Sequence, residues 1–292
     1  MNSFTKVLRM IQFEHSVFAL PFALAGAWMA ADGIPPRTDL FGIIAAAVFA
    51  RSSAMAMNRW ADRRWDATNP RTQSRELVTG SLSSNFAFGF SLLSGALFVA
   101  TSFWLAPICG WLSLPVLIVL WGYSYLKRWT WICHLGLGLA LGCAPTGAWL
   151  AVNKAFLPGW TQPLWVGVGV LFWTAGFDLL YSIQDREHDK KEALFSIPSR
   201  FGTATTQKLA IAFHLGSLGC FAFLAPQYSW HFQAAVMVLA GLFFTQHWMV
   251  RDGRYDCIPA AFFKVNAWVG LIFFAGLWAS LEWGSGTGSL VL

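Results

Sequence analysis

The chain has 292 residues, of which 56% are hydrophobic and only 12% charged, with a formal net charge of +6. Soluble domains carry about twice that charged fraction, so the composition excludes water as the main solvent of the fold. The positive balance would suit a nucleic-acid binder, but no RNA- or DNA-binding motif is present, and membrane topology accounts for the charge. Cys109, Cys133, Cys143, Cys220 and Cys257 are scattered through mostly apolar runs without paired spacing, which reads as small core residues.

Crossing about 30 Å of hydrocarbon takes a helix of roughly twenty apolar residues. Runs of that kind predict nine spans, at 16–32, 40–58, 85–106, 108–126, 131–151, 163–182, 208–225, 230–249 and 260–281. The first lacks a small-x-small cleavage pattern behind it and is expected to be a retained span. Asp32-Gly33-Ile34-Pro35-Pro36 closes it, Asn69-Pro70 follows the second, and Leu157-Pro158-Gly159 separates the fifth from the sixth. Ala106-Pro107 divides the long run at 85–126. The expected fold is an all-α, polytopic membrane protein forming one domain over 1–292.

Charge sets the orientation. All but three of the 20 Lys and Arg residues fall in the N-terminus and the even-numbered loops. Arg37 and Lys154 lie on the other side, and Arg51 is inside a span. By the positive-inside rule the N-terminus and these loops face the cytoplasm and the C-terminus lies outside, as in a bacterial inner membrane.

Eleven of the 14 acids sit on the same side, concentrated after the second and sixth spans. Asn58, Asp62 and Asp66 stand four residues apart, so a helix continuing past the membrane edge aligns them. Asp178, Tyr181, Asp185 and Asp189 have offsets of 3, 7 and 11, which again trace one helical face. Both clusters contain D-R-x-x-D, at 62–66 and 185–189, in corresponding places four spans apart, which points to an internal duplication. Carboxylates crowded at a helix edge repel one another unless a cation lies between them. Mg²⁺ binds through one or two carboxylates and completes its shell with water and phosphate oxygens. Asp62, Asp66, Asp178, Asp185 and Asp189 are therefore candidate metal ligands holding a diphosphate. Arg63, Arg71, Arg75, Lys127, Arg128, Lys190 and Arg200 are candidates to neutralise its remaining oxygens.

The run Asn58-x-x-x-Asp62-x-x-x-Asp66, followed by Asn69-Pro70-Arg71-Thr72, Arg75 and Gly80, resembles the first motif of the intramembrane UbiA-type prenyltransferases. Asp178-x-x-Tyr181-x-x-x-Asp185-x-x-x-Asp189 looks like their second. Tyr181-Ser-Ile-Gln-Asp185, Ser196-Ile-Pro-Ser-Arg-Phe-Gly202 and Tyr125-Leu-Lys127-Arg128 are similar to the 4-hydroxybenzoate polyprenyltransferase branch, which includes enzymes that prenylate 1,4-dihydroxy-6-naphthoate. The resemblance runs from about His15 to the last span. It implies a nine-helix bundle, a lateral opening for a lipid tail, and Mg²⁺-dependent transfer from a polyprenyl diphosphate to a ring carbon of a hydroxylated aromatic acid. One departure is Arg59, where many members carry an acid.

Arg51, seven residues before Asn58 and so on nearly the same face, is too deep to be charged without a function or a partner. It is expected to meet the acceptor carboxylate or a phosphate oxygen, unless helix carbonyls take it up. Tyr123, Tyr125 and Tyr181 are candidates to flank an allylic cation through their ring faces, with Tyr181 favoured by its place between Asp178 and Asp185. Glu14 and His15 precede the first span and His188 sits among the acids; none receives a role. A secondary transporter would place its ionisable residues near the midplane on broken helices, whereas here only Arg51 is deep.

Overall fold

The computed structural model describes residues 3–12 and 16–284, so Glu14 and His15 lie outside the described residues. Those residues form an all-helical bundle without strands. An amphipathic α1 (Ser3–Met10) precedes α2 (Ser16–Ala31), α3 (Arg37–Thr68), α4 (Ser84–Leu105) and α5 (Pro107–Leu126). After them come α6 (Cys133–Asn153), α7 (Thr161–Ser182), α8 (Arg186–Lys191), α9 (Ile197–Leu224) and α10 (Trp230–Met249). A single turn α11 (Ile258–Ala260) and a π-helical turn at Ala261–Val265 lead into α12 (Asn266–Trp283).

Among the described residues, seven helical segments are long and apolar enough to cross a membrane: those at 37–68, 84–105, 107–126, 133–153, 161–191, 197–227 and 255–283. The other two expected spans correspond to α2, which is short, and α10, where His231, Gln233, Gln246 and His247 dilute the apolar content. Ala106 is extended (φ −163°, ψ 147°) and Pro107 opens α5, so the long run at 85–126 does divide there.

Two features of the packing position the site. The 32 residues of α3 span about 48 Å at 1.5 Å per residue, more than the hydrocarbon needs, and Asp62 and Asp66 lie in its last two turns. Helices α6 and α7 meet through glycines: a Cβ on Gly142 would lie 2.6 Å from the Gly167 carbonyl oxygen, and one on Gly167 would lie 2.3 Å from that of Gly142. Only glycine lets the backbones approach so closely, the usual solution where lipid removes the hydrophobic drive between helices.

The bundle is completed by two kinds of contact. Phe22, Trp173, Phe221, Phe232 and Phe273 are fully buried where α2, α7, α9, α10 and α12 meet. Polar clips add direction: the Ser53 and Ser91 hydroxyls each donate to the other's carbonyl at 2.8 Å, and the Trp173 indole donates to Asn266 Oδ1 at 3.0 Å. Such interhelical bonds contribute about 0.6 kcal/mol each.

Candidate active site

The end of α3, the turn after it and the α7–α8 junction enclose a polar cavity of about 140 Å³ lined by Asp62, Asp66, Asp185 and Asp189. It shares Asn58, Asp62, Arg71, Arg75, Lys127 and Asp185 with a larger cavity of about 260 Å³ that also takes in Arg51, Tyr123, His134, Asp178 and Tyr181. Residues separated by more than a hundred positions thus share one wall, because the segment following each cluster folds back over it. Asn69 and Arg71, placed by the turn that Asn69-Pro70 initiates, reach across to Asp185.

Asp185 accepts from Asn69 Nδ2 at 2.9 Å and takes a two-pronged bond from Arg71, with Nε to Oδ1 at 2.9 Å and a terminal nitrogen to Oδ2 at 2.6 Å. Asp66 receives Arg75 on both oxygens, at 2.6 and 2.7 Å. Asp189 meets Lys127 at 3.0 Å, and Asp62 accepts from Asn58 at 2.9 Å with Arg128 at 3.8 Å. All four carboxylates therefore have cationic neighbours, yet at Asp62 burial and the adjacent Asp66 carboxylate outweigh them and push its carboxyl up to about 6. Burial opposes the charge on Lys127, but Asp189 and Asp185 outweigh it and hold its ammonium above the ordinary lysine value. Burial likewise opposes Arg71, and the bonds to Asp185 raise its guanidinium above the usual arginine value.

Magnesium fits this donor set. Among the described residues no three His, Cys, Asp or Glu side chains gather tightly enough to hold a metal by themselves. Mg²⁺ takes one or two carboxylates and fills its other positions with water and phosphate oxygens. The Oδ2 atom of Asp189, a residue only 1% exposed, is buried without a hydrogen-bond partner, and such an oxygen is suited to a hard cation.

The structure places several of these residues differently from the others. The second cluster does not lie on one continuous helix: α7 stops at Ser182, a 3₁₀ turn at Ile183–Asp185 intervenes, and α8 restarts at Arg186. Asp178 still shares the larger cavity with Asp62 and Asp185. It is held by His134, with Nδ1 to Oδ2 at 2.7 Å, and it lines the large cavity but not the one shared by the other acids.

Three of the proposed phosphate partners also stand apart. Arg63 is exposed, donates to the Trp60 carbonyl and lies over that indole. Lys190 is exposed and faces Glu187 at 4.0 Å, and Arg200 is exposed near the start of α9; none of the three lines either cavity.

The deep Arg51 has one carbonyl partner, since its guanidinium donates to Gln12 at 3.0 Å while lining the large cavity. Its Nε has no hydrogen-bond partner among the described residues. Tyr181 lines that cavity and its hydroxyl accepts from Arg71 at 3.0 Å, with the guanidinium 5.1 Å from the ring centre. Tyr123 also lines it, whereas Tyr125 lies 4.3 Å beneath Arg128 and serves to place that cation. His134 went unnoticed in the sequence, although a histidine at the head of an apolar run is a recognisable signal.

Comparison with known proteins matches residues 19–280 to the UbiA prenyltransferase family. The chain is 31% identical over 255 residues to the 4-hydroxybenzoate octaprenyltransferase of Pseudomonas fluorescens strain Pf0-1, covering 86% of this chain and 83% of that one. It is 30% identical over 276 residues to the protein of the same name from Azoarcus sp. strain BH72, covering 93% and 94%. Among solved structures, a UbiA homolog from Aeropyrum pernix K1 superposes with a TM-score of 0.83 at 30% identity, covering 90% of this chain and 97% of that one. A UbiA homolog from Archaeoglobus fulgidus, bound to DMAPP and Mg²⁺, shares the fold with a TM-score of 0.73 at 19% identity, covering 95% and 99%.

Proposed function

Because the chain belongs to the UbiA prenyltransferase family, we propose that it transfers a polyprenyl group from polyprenyl diphosphate to a ring carbon of a hydroxylated aromatic acid. The acceptor is 4-hydroxybenzoate or a related quinone precursor such as 1,4-dihydroxy-6-naphthoate, and the product feeds ubiquinone or menaquinone synthesis. The observation that carries this reading is the polar cavity that carboxylates of both motifs share with four basic side chains. The names of the relatives support the acceptor class, and the Archaeoglobus homolog bound to DMAPP and Mg²⁺ supports the donor class.

In this reading Asp62, Asp66, Asp185 and Asp189, the acids that line the polar cavity, would hold Mg²⁺, whereas Asp178 lines only the larger cavity, where it pairs with His134. Mg²⁺ bound there supplies positive charge to the leaving diphosphate. Arg71, Arg75, Lys127 and Arg128 donate hydrogen bonds to the phosphate oxygens, where charge grows as the allylic C–O bond breaks. The ring of Tyr181 faces the nascent carbocation, an attraction of about 1–2 kcal/mol in a dry site. Apolar walls limit quenching by water. The ring carbon ortho to the hydroxyl then bonds the allylic carbon that has lost its C–O bond, and its proton passes to the departing diphosphate. Arg51, with its unpartnered Nε, takes the acceptor carboxylate.

We further propose nine crossings, with α2 and α10 completing the seven helices that qualify by length and composition, and with a pseudo-repeat of four helices. The site and the N-terminus face the cytoplasm at the inner membrane and the C-terminus lies outside, supported by the bias of Lys and Arg. Membranes containing the protein, incubated with Mg²⁺, a prenyl diphosphate and a panel of aromatic acids, test the reading. Prenylation of a hydroxylated acid that stops with chelator supports it, and prenyl transfer to none of them refutes it.

A further inference from the structure

The large cavity contains a polar group that the scheme above does not use. His134, at the head of α6, is 1% exposed and lines the cavity together with Arg51, Leu137, Phe177 and Tyr181. Its Nδ1 lies 2.7 Å from Asp178 Oδ2, and its Nε2 is buried without a hydrogen-bond partner among the described residues. The pair joins α6 to α7, the two helices that Gly142 and Gly167 draw together.

An ionised carboxylate only accepts, so Asp178 orders His134 to donate from Nδ1 and fixes the ring orientation. The remaining nitrogen is then committed to the cavity's occupant. A buried polar atom left unpaired costs about 1–3 kcal/mol, so the arrangement favours a ligand that supplies the missing bond. A hydroxyl can meet Nε2 in either protonation form: it donates to the bare nitrogen and accepts from the protonated one. The same cavity holds Arg51 for a carboxylate and Phe177 and Leu137 as apolar surface, which are the other features of a hydroxylated aromatic acid.

We propose that His134, oriented by Asp178, binds the hydroxyl of the aromatic acceptor and determines selection for hydroxylated rings. This rests on the functional reading above and adds to it the residue that reads the hydroxyl. A site built to hydrogen-bond a substrate hydroxyl rejects the analogue lacking it, because the buried partner is then left unpaired.

The test compares wild type with His134→Leu, which removes both bonds, and His134→Gln, which keeps a donor for Asp178. Two quantities are measured: competitive inhibition by a 4-hydroxybenzoate blocked at both ortho carbons against benzoate itself, and Mg²⁺-dependent binding of a prenyl diphosphate analogue. Wild type is expected to prefer the hydroxylated inhibitor at least about tenfold, His134→Leu to lose that preference, and His134→Gln to recover part of it. Binding of the prenyl diphosphate analogue stays within about twofold in His134→Gln. The proposal is overturned if His134→Gln and His134→Leu discriminate as wild type does. It is also overturned if both lose the prenyl diphosphate analogue together with discrimination, since His134 would then be holding the fold. A wild type that binds the analogue but is neither inhibited by any hydroxylated acid nor able to prenylate one overturns the functional reading and this proposal together.

Discussion

Asn69 and Asp185 are 116 residues apart in the chain and share a buried hydrogen bond of 2.9 Å. Through it the turn after α3 is fastened to the junction of α7 and α8, and the two acidic segments become one site. Arg71, two residues on, grips the same carboxylate on both oxygens.

Replacing Asn69 with Ala removes a bond to a buried charge, which is worth about 1.5–3 kcal/mol. Thermal unfolding in detergent is expected to show a clear drop in Tm, with KM for prenyl diphosphate raised more than KM for the acceptor. An unchanged Tm would mean the cross-link is dispensable.

Arg71→Lys retains the charge but not the planar fork that bonds Asp185 and Tyr181 together. Steady-state kinetics should show kcat/KM for the prenyl diphosphate reduced about tenfold, and reduced further in Arg71→Ala. Activity equal to wild type in the lysine variant would show that charge alone suffices.

Single Asp62→Asn and Asp185→Asn substitutions are each expected to lower kcat by about 100-fold or more, the scale of losing one preorganised electrostatic contact. Arg63→Ala and Arg200→Ala, both exposed and away from the cavities, are expected to stay within about twofold. A large loss in either of these two would place a phosphate path outside the cavities described.

Gly142→Val would press a branched side chain toward the Gly167 carbonyl, at a cost of about 1–3 kcal/mol or more. Its Tm should fall, and acceptor affinity should fall with it, because the contact that places His134 beside Asp178 is widened. Gly147, beside which a Cβ would meet nothing within 4 Å, is the control: Gly147→Ala should leave both unchanged.

The sequence made the helices and the first acidic cluster legible for physical reasons. Apolar runs are long because hydrocarbon is thick, and a four-residue spacing survives wherever the helix continues, as it does through Thr68. The second cluster was harder to read because its spacing assumes an unbroken helix. The turn at Ile183–Asp185 and the pairing of Asp178 with His134 on another helix are tertiary features that local spacing does not carry. Arg63, Lys190 and Arg200 look in sequence like Arg71 and Arg75. Only the path of the chain after each motif separates those that face the carboxylates from those that face away. The carbonyl partner of Arg51 at Gln12 comes from the segment after α1, a contact that no local pattern announces.

The central claim, that the two acidic clusters act together on shared divalent ions and a diphosphate, is tested most directly by Mn²⁺ binding followed by electron paramagnetic resonance. The spectra would be recorded with and without a non-reacting prenyl diphosphate analogue. The account predicts that wild type takes up Mn²⁺ tightly only with the analogue, and that Asp62→Asn and Asp185→Asn each abolish this uptake although they lie on different helical segments. Full uptake in either variant would contradict it.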